Sequence, residues 1–208
     1  MTVLTNLKYY YLNLGTQGRG EPSRLLLHDA NVSFEDNRLE FPEWMALKSE
    51  LSKEYPAAAL PLLKTGDGEY YGLSGPLMRF LSHELGYDAA GKKETHFIDQ
   101  IADLSSDWLQ DCIRLFFQPD QRDFHNKVFK PNHLGRMESM YGYHADGPYA
   151  LVSDTSKNIT TATATTTIDY KENPNLSKFV QAFEDRKNLK EYIAAFPKDE
   201  QPIVIPLE

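Results

Sequence analysis

Three consecutive tyrosines, Tyr9, Tyr10 and Tyr11, stand just ahead of a stretch broken by Gly15, Gly18 and Gly20, and that stretch runs into Glu21-Pro22. A phenolic hydroxyl can donate a charge-assisted hydrogen bond to an anion. A helix opening beside it adds the positive end of its dipole. Proline in a first turn with an acid next to it is a helix start. Tyrosine, turn and helix start together therefore make a place to hold something negative. Strand alternation sends Tyr10 to the face opposite Tyr9 and Tyr11. That leaves two candidates, and the competing reading of both is a strand tyrosine packed in a core.

Other residues could share such work. Ser74 begins a second helical pattern, where a hydroxyl and the first N–H groups form an anion site or simply a cap. Trp44 and Lys48, four apart, fall on one helical face, either as a ring and cation for a ligand or as a core Trp with a solvated Lys. Asp99, Asp103, Asp107 and Asp111 repeat at four-residue steps. Like charges at that spacing repel by a few tenths of a kcal/mol, roughly, so a cationic partner or a solvated face must accommodate them. The six histidines show no metal-ligand spacing, and neither a phosphate-binding loop nor a dinucleotide fingerprint occurs.

The elements that must position these residues are legible as patterns. Residues 8–14 (KYYYLNL) read as a strand, Glu21 to about Asn31 as a helix, and 33–39 as a second strand. LPLL at 60–63 and EYY at 69–71 flank Gly66-Asp67-Gly68 as a hairpin. Residues 74–86 read as a helix capped by Ser74 and closed by Gly86. The first part is thus β-α-β followed by β-β-α, a thioredoxin-like layout with one parallel and further antiparallel pairings. Beyond 88–91, read as a linker, the chain turns helical. Phe97, Ile101, Leu104, Trp108, Cys112 and Leu115 recur at helical steps within 92–117, and 124–140 and 175–195 are helix-like. The expectation is two domains, 1–87 α/β and 92–208 all-helical. Thr160 to Thr167 (TTATATTT) is poorly determined by propensity.

With 22 basic and 30 acidic residues the net charge is −8, which argues against a nucleic-acid surface. One cysteine, Cys112, excludes an internal disulfide, a CxxC pair or a cysteine zinc site. No signal-peptide pattern opens the sequence, and no apolar run is long enough to cross a membrane. The expected setting is soluble and cytoplasmic, without membrane attachment.

YYYLNL with GRGEPSRLLL, then WMALK at 44–48, LPLL with DGEYYGLS, and LSHELGY resemble, in that order and spacing, the soluble glutathione transferase family of the tyrosine type, nearest its sigma, mu and pi classes. The resemblance implies a thioredoxin-like glutathione-binding domain followed by a helical domain, a homodimer, glutathione as co-substrate, no metal, and a small hydrophobic electrophile as second substrate. A thiol near pKa ~8.5 is mostly protonated at neutral pH and needs help to become a nucleophile. By the resemblance Tyr11 supplies that help. Arg19, Trp44, Lys48, Leu60, Pro61 (at the family's cis-proline), Ser74 and Asp103 of a partner subunit would hold the tripeptide.

The sequence departs from the family in three places. Gly15-Thr16-Gln17 lengthens the loop after Tyr11 and brings in Thr16 as a rival hydroxyl. Leu73 and Ala59 stand where the family often has polar residues. The family's Ser/Thr-x-x-Asp capping box has only Thr160-Thr161-Ala162-Thr163 as its counterpart. Retained fold with weak or lost chemistry, as in ligandin- or crystallin-like relatives, is therefore an alternative. Glutathione-dependent isomerisation is another.

Overall fold

The computed structural model describes residues 4–15, 18–89, 91–144, 150 and 171–196. Thr16, Gln17 and the Thr160–Thr167 segment lie outside the described residues. The chain divides into two compact units, Met1–Gly86 and Tyr87–Glu208.

The first unit is built on a four-stranded sheet of order β2-β1-β3-β4. Strand β1 (Leu7–Leu12) pairs in parallel with β2 (Phe34–Leu39) and antiparallel with β3 (Leu62–Lys64), which pairs antiparallel with β4 (Tyr70–Gly72). Helix α1 (Glu21–Asp29) is the crossover between the parallel strands. Helix α2 (Phe41–Leu51) follows β2, and α3 (Ser74–Leu85) follows β4. The sequence patterns give ranges for α1 and α3 but mark α2 only through the Trp44–Lys48 spacing, because its Phe-Pro-Glu-Trp start carries little amphipathic signal. Its beginning is set locally instead. Pro42 sits in the first turn, and the Glu43 carboxylate reaches back to the Glu40 N–H at 2.7 Å.

The pleat sorts β1 between two layers. Leu7, Tyr9 and Tyr11 are buried on one face, and Lys8 and Tyr10 point the other way. On the Tyr10 side, Leu51, Ala58 and Leu62 form a small core with Tyr10, Tyr55, Leu60 and Tyr70 packed on it. α1 packs against α3, and the fully buried Leu26, Leu27, Leu63, Leu77 and Leu81 account for much of the main core. Each fully buried leucine contributes roughly 1.5–3 kcal/mol relative to exposure.

The second unit holds α4 (Lys92–Phe117), a short 3₁₀ turn Pro119–Gln121, α5 (Arg122–Phe124), a π-helical turn His125–Phe129, α6 (Lys130–Gly142), α7 (Pro174–Glu184) and α8 (Lys190–Ala194). Its core draws Ile101 and Trp108 from α4, Leu134, Met137 and Tyr141 from α6, and Leu176, Phe179, Val180 and Phe183 from α7. The single helix read over 175–195 is two helices, broken around 185–189, where Asp185 ends α7 and Leu189 opens α8. The helix read over 124–140 contains the π turn. α7 has no cap from its own Asn173 side chain. Glu138 of α6 supplies one, accepting from Asn175 N (2.8 Å), Asn175 Nδ2 (2.7 Å) and Leu176 N (2.9 Å).

Candidate functional site

Strand directions bring one end of the sheet together. β1 and β2 run in parallel, so the ends of both lie on the side where β3 begins and β4 finishes. The β1–β3 register pairs Tyr10 with Leu62, and continued by one residue it sets Pro61 beside Tyr11. The β3–β4 register pairs Leu62 with Gly72, and the next residues, Leu73 and Ser74, lie at that same end. The chain leaving β1 enters α1, the chain leaving β2 enters α2, and the chain leaving β4 enters α3. Three helix amino termini therefore open at the edge where β1 ends in Tyr11 and Leu12. Their unpaired N–H groups and dipoles favour an anionic ligand there.

Tyr11 is buried, at 7% exposure, under the turn that precedes α1. Its hydroxyl accepts a hydrogen bond from the backbone N–H of Arg19 at 2.8 Å. A hydroxyl used as an acceptor still has its proton to donate. Burial raises the phenol above its ordinary value. The Arg19 N–H, the charges of Arg19 and Arg24, and the Gly20 N–H pull the other way. The result is a phenol that stays protonated near neutral pH and can act as a donor. The glycines of the turn are required by this contact. A β-carbon on Gly18, which has φ +82°, would come within 2.6 Å of the Tyr11 hydroxyl, and one on Gly20 within 2.5 Å of Tyr11 Cγ.

Tyr9, the local rival, is committed elsewhere. It is fully buried, donates to the Gly20 carbonyl at 2.7 Å, and packs edge-on against Phe34. Burial drives its phenol far upward. It is a core tyrosine. Beneath both rings lies Arg24, fully buried, with its guanidinium carbon 5.2 Å from the Tyr9 ring centre and 5.7 Å from that of Tyr11. Burial opposes its charge, but the carboxylates of Asp36 and Glu21 offset that and keep it a cation. Sequence reading passed over Arg24. The signal was an arginine on the apolar Leu25–Leu27 side of a helix, where a charge needs a partner.

The remaining sequence-derived residues are placed as follows. Trp44 is buried on α2, and Lys48, one turn on, is exposed. The Leu60–Pro61 peptide bond is cis, and Pro61 is fully buried. Ser74 is the first residue of α3 and not its cap. The cap position belongs to Leu73, which has φ +69°, makes no side-chain capping bond and is 47% exposed. An L-residue with a branched γ-carbon at positive φ is uncommon, so this conformation is imposed by how β4 must turn into α3. Arg19 contributes through its backbone, as described. Asp103 lies exposed on α4 of the other unit. Of the aspartate ladder, Asp111 does not need an outside cation, because it pairs with His133 Nε2 at 2.9 Å and Arg114 at 3.1 Å. Cys112 is pushed up to about 11 by burial and by Asp111, so it remains a thiol at neutral pH. Among the described residues no group of three His, Cys, Asp or Glu side chains could hold a metal ion, and no helix is long and apolar enough to cross a membrane.

No protein-family model matches the chain. A glutathione S-transferase of Anopheles gambiae is 28% identical over 208 residues, which covers 93% of this chain and 98% of that protein. S-crystallin 4 of Enteroctopus dofleini is 28% identical over 106 residues, 51% of this chain and 47% of that one. Among solved structures, the glutathione S-transferase from Ascaris lumbricoides matches with a TM-score of 0.74 at 27% identity, covering 94% of this chain and all of that one, 100%.

Proposed function

Because this chain belongs to the glutathione S-transferase family, we propose that it binds glutathione at the end of the first unit's sheet and conjugates its thiolate to small hydrophobic electrophiles. The observation that carries the reading is the Tyr11 hydroxyl. It is buried, fixed as an acceptor from the Arg19 N–H, and left with a proton for a sulfur anion. The helix amino termini around it favour the same charge. In this reading the thiol releases its proton to solvent on binding, Tyr11 donates to the thiolate, and the sulfur lone pair attacks the electrophilic carbon as the leaving group departs with its bonding pair. Leu60 presents its backbone to the cysteine of glutathione. Ser74 and the first N–H groups of α3 take a carboxylate, as do Trp44 and Lys48 on α2. Arg19 also serves the tripeptide. Asp103 of a second subunit would take the glutathione amine, which makes the working form a homodimer in the cytoplasm.

The test is retention on immobilised glutathione together with turnover of a generic aryl halide. Retention with turnover that depends on Tyr11 supports the proposal; absence of both removes it. A second reading, a glutathione-binding or structural protein without catalysis, is favoured by the apolar, exposed Leu73 at the start of α3 and by the S-crystallin similarity. Retention without turnover would select it. Leu73 and Ala59 together forgo two side-chain hydrogen bonds, each worth about 0.5–1.5 kcal/mol net, so glutathione affinity one or two decades below that of polar-lined relatives is expected, roughly.

A further inference from the structure

A fully buried guanidinium is costly to desolvate unless geometry repays it, and apolar residues of similar size are often as stable. Arg24 therefore calls for a reason. Its Nε faces Asp36 (3.0 Å to Oδ1, 3.1 Å to Oδ2), and its Nη1 faces Glu21 at 3.3 Å. Its Nη2 has no hydrogen-bond partner among the described residues. What the cation faces instead is aromatic, with both tyrosine rings inside cation–π range. The same Asp36 carboxylate takes Arg38 Nε at 2.8 Å, and Arg38 Nη1 donates to the Gly15 carbonyl at 2.7 Å. A chain of charges thus runs from the first residue of α1, beneath the Tyr11 ring, to the turn that follows Tyr11. Two cations and two anions make it neutral overall, but the member against the rings is the cation.

We infer that Arg24 is a positioning residue for Tyr11: its guanidinium, aimed by Asp36 and Glu21, fixes the ring under the turn and strengthens the hydroxyl as a donor to the bound thiolate. This rests on the proposed transferase reading and adds to it a residue that touches no substrate. The other charged or titratable groups about the rings are Arg19 ahead of α1, Glu21 and His28 on α1, and Asp36 and Arg38 on β2. β3 brings Leu63 opposite Tyr9, and the buried side chains of α3 are Leu77, Met78 and Leu81.

The experiment follows the thiolate absorbance of glutathione bound to the full chain as a function of pH, with no second substrate. Arg24→Lys keeps a cation for the two carboxylates, and so the fold, but loses the planar fork and face. It is expected to lower the thiolate fraction below the midpoint by about two- to fivefold, the worth of one cation–π contact. Arg24→Met should lower it further. In a Tyr11→Phe background both effects should vanish, because they act through the hydroxyl. An unchanged midpoint in Arg24→Lys overturns the inference. So does an equal shift with Tyr11 present or replaced, which would mean a direct field on the sulfur. A wild-type chain that binds no glutathione thiolate at all overturns the transferase reading itself, and is told apart from the first two results by that.

Discussion

Replacing Tyr11 by Phe removes one oxygen and leaves the ring packed between Arg24 and Gly20. In the folded protein the hydroxyl accepts from the Arg19 N–H at 2.8 Å. Losing that acceptor strands a backbone donor and costs about 1–3 kcal/mol of stability, which a denaturant midpoint measures. The larger effect is on the proposed chemistry. A hydrogen bond to a charged acceptor is worth about 1.5–3 kcal/mol, or one to two units on the bound thiol, roughly. The bond favours the thiolate, so its loss raises the thiol's pKa. Below the wild-type midpoint, kcat/KM with an aryl halide should fall by about 10- to 100-fold. As pH rises past the free-thiol value of ~8.5 the gap should close, because the sulfur then ionises unaided. Retention on glutathione should change little, since the proposed site holds the tripeptide's carboxylates through other residues. A deficit of constant size at every pH would refute the thiolate role of Tyr11. So would equal losses in turnover and glutathione affinity, and either result would return Tyr11 to the core alongside Tyr9.

Three further outcomes are expected. Tyr9→Phe takes away the donor to the Gly20 carbonyl and should cost about 1–3 kcal/mol in unfolding free energy, while the pH profile of turnover keeps its shape. Gly20→Ala places a methyl 2.5–2.9 Å from Tyr11 Cγ, Cδ1 and Cδ2; overpacking of this kind should destabilise by about 1–3 kcal/mol and depress turnover more than Tyr9→Phe, both read from a melt and an initial-rate assay. Glu138→Ala strips three hydrogen bonds from the start of α7; a loss of about 1–3 kcal/mol should appear as faster amide exchange in α7, with β1 and β3 unaffected.

Local chemistry decided much of this protein before any folding. The tyrosine run, the spaced glycines, the acid-proline start of α1, the glycine that ends α3 and the helical periodicity of 92–117 are short-range signals, and the elements they imply formed where expected, to within a residue or two for β1 and β2. Tertiary structure decided the rest. It gave Tyr9 and Tyr11 different partners, because which hydroxyl meets a carbonyl and which meets an N–H depends on the path of a turn eight or more residues away. It moved the α3 cap from Ser74 to Leu73, since β4 dictates the backbone entering that helix. It withdrew Asp111 from the acidic ladder by bringing His133 beside it. It also put Arg24 beneath the rings, paired with a carboxylate from the neighbouring strand. Spacing along a chain determines which face a residue occupies. Which partner waits on that face is settled only when distant segments pack.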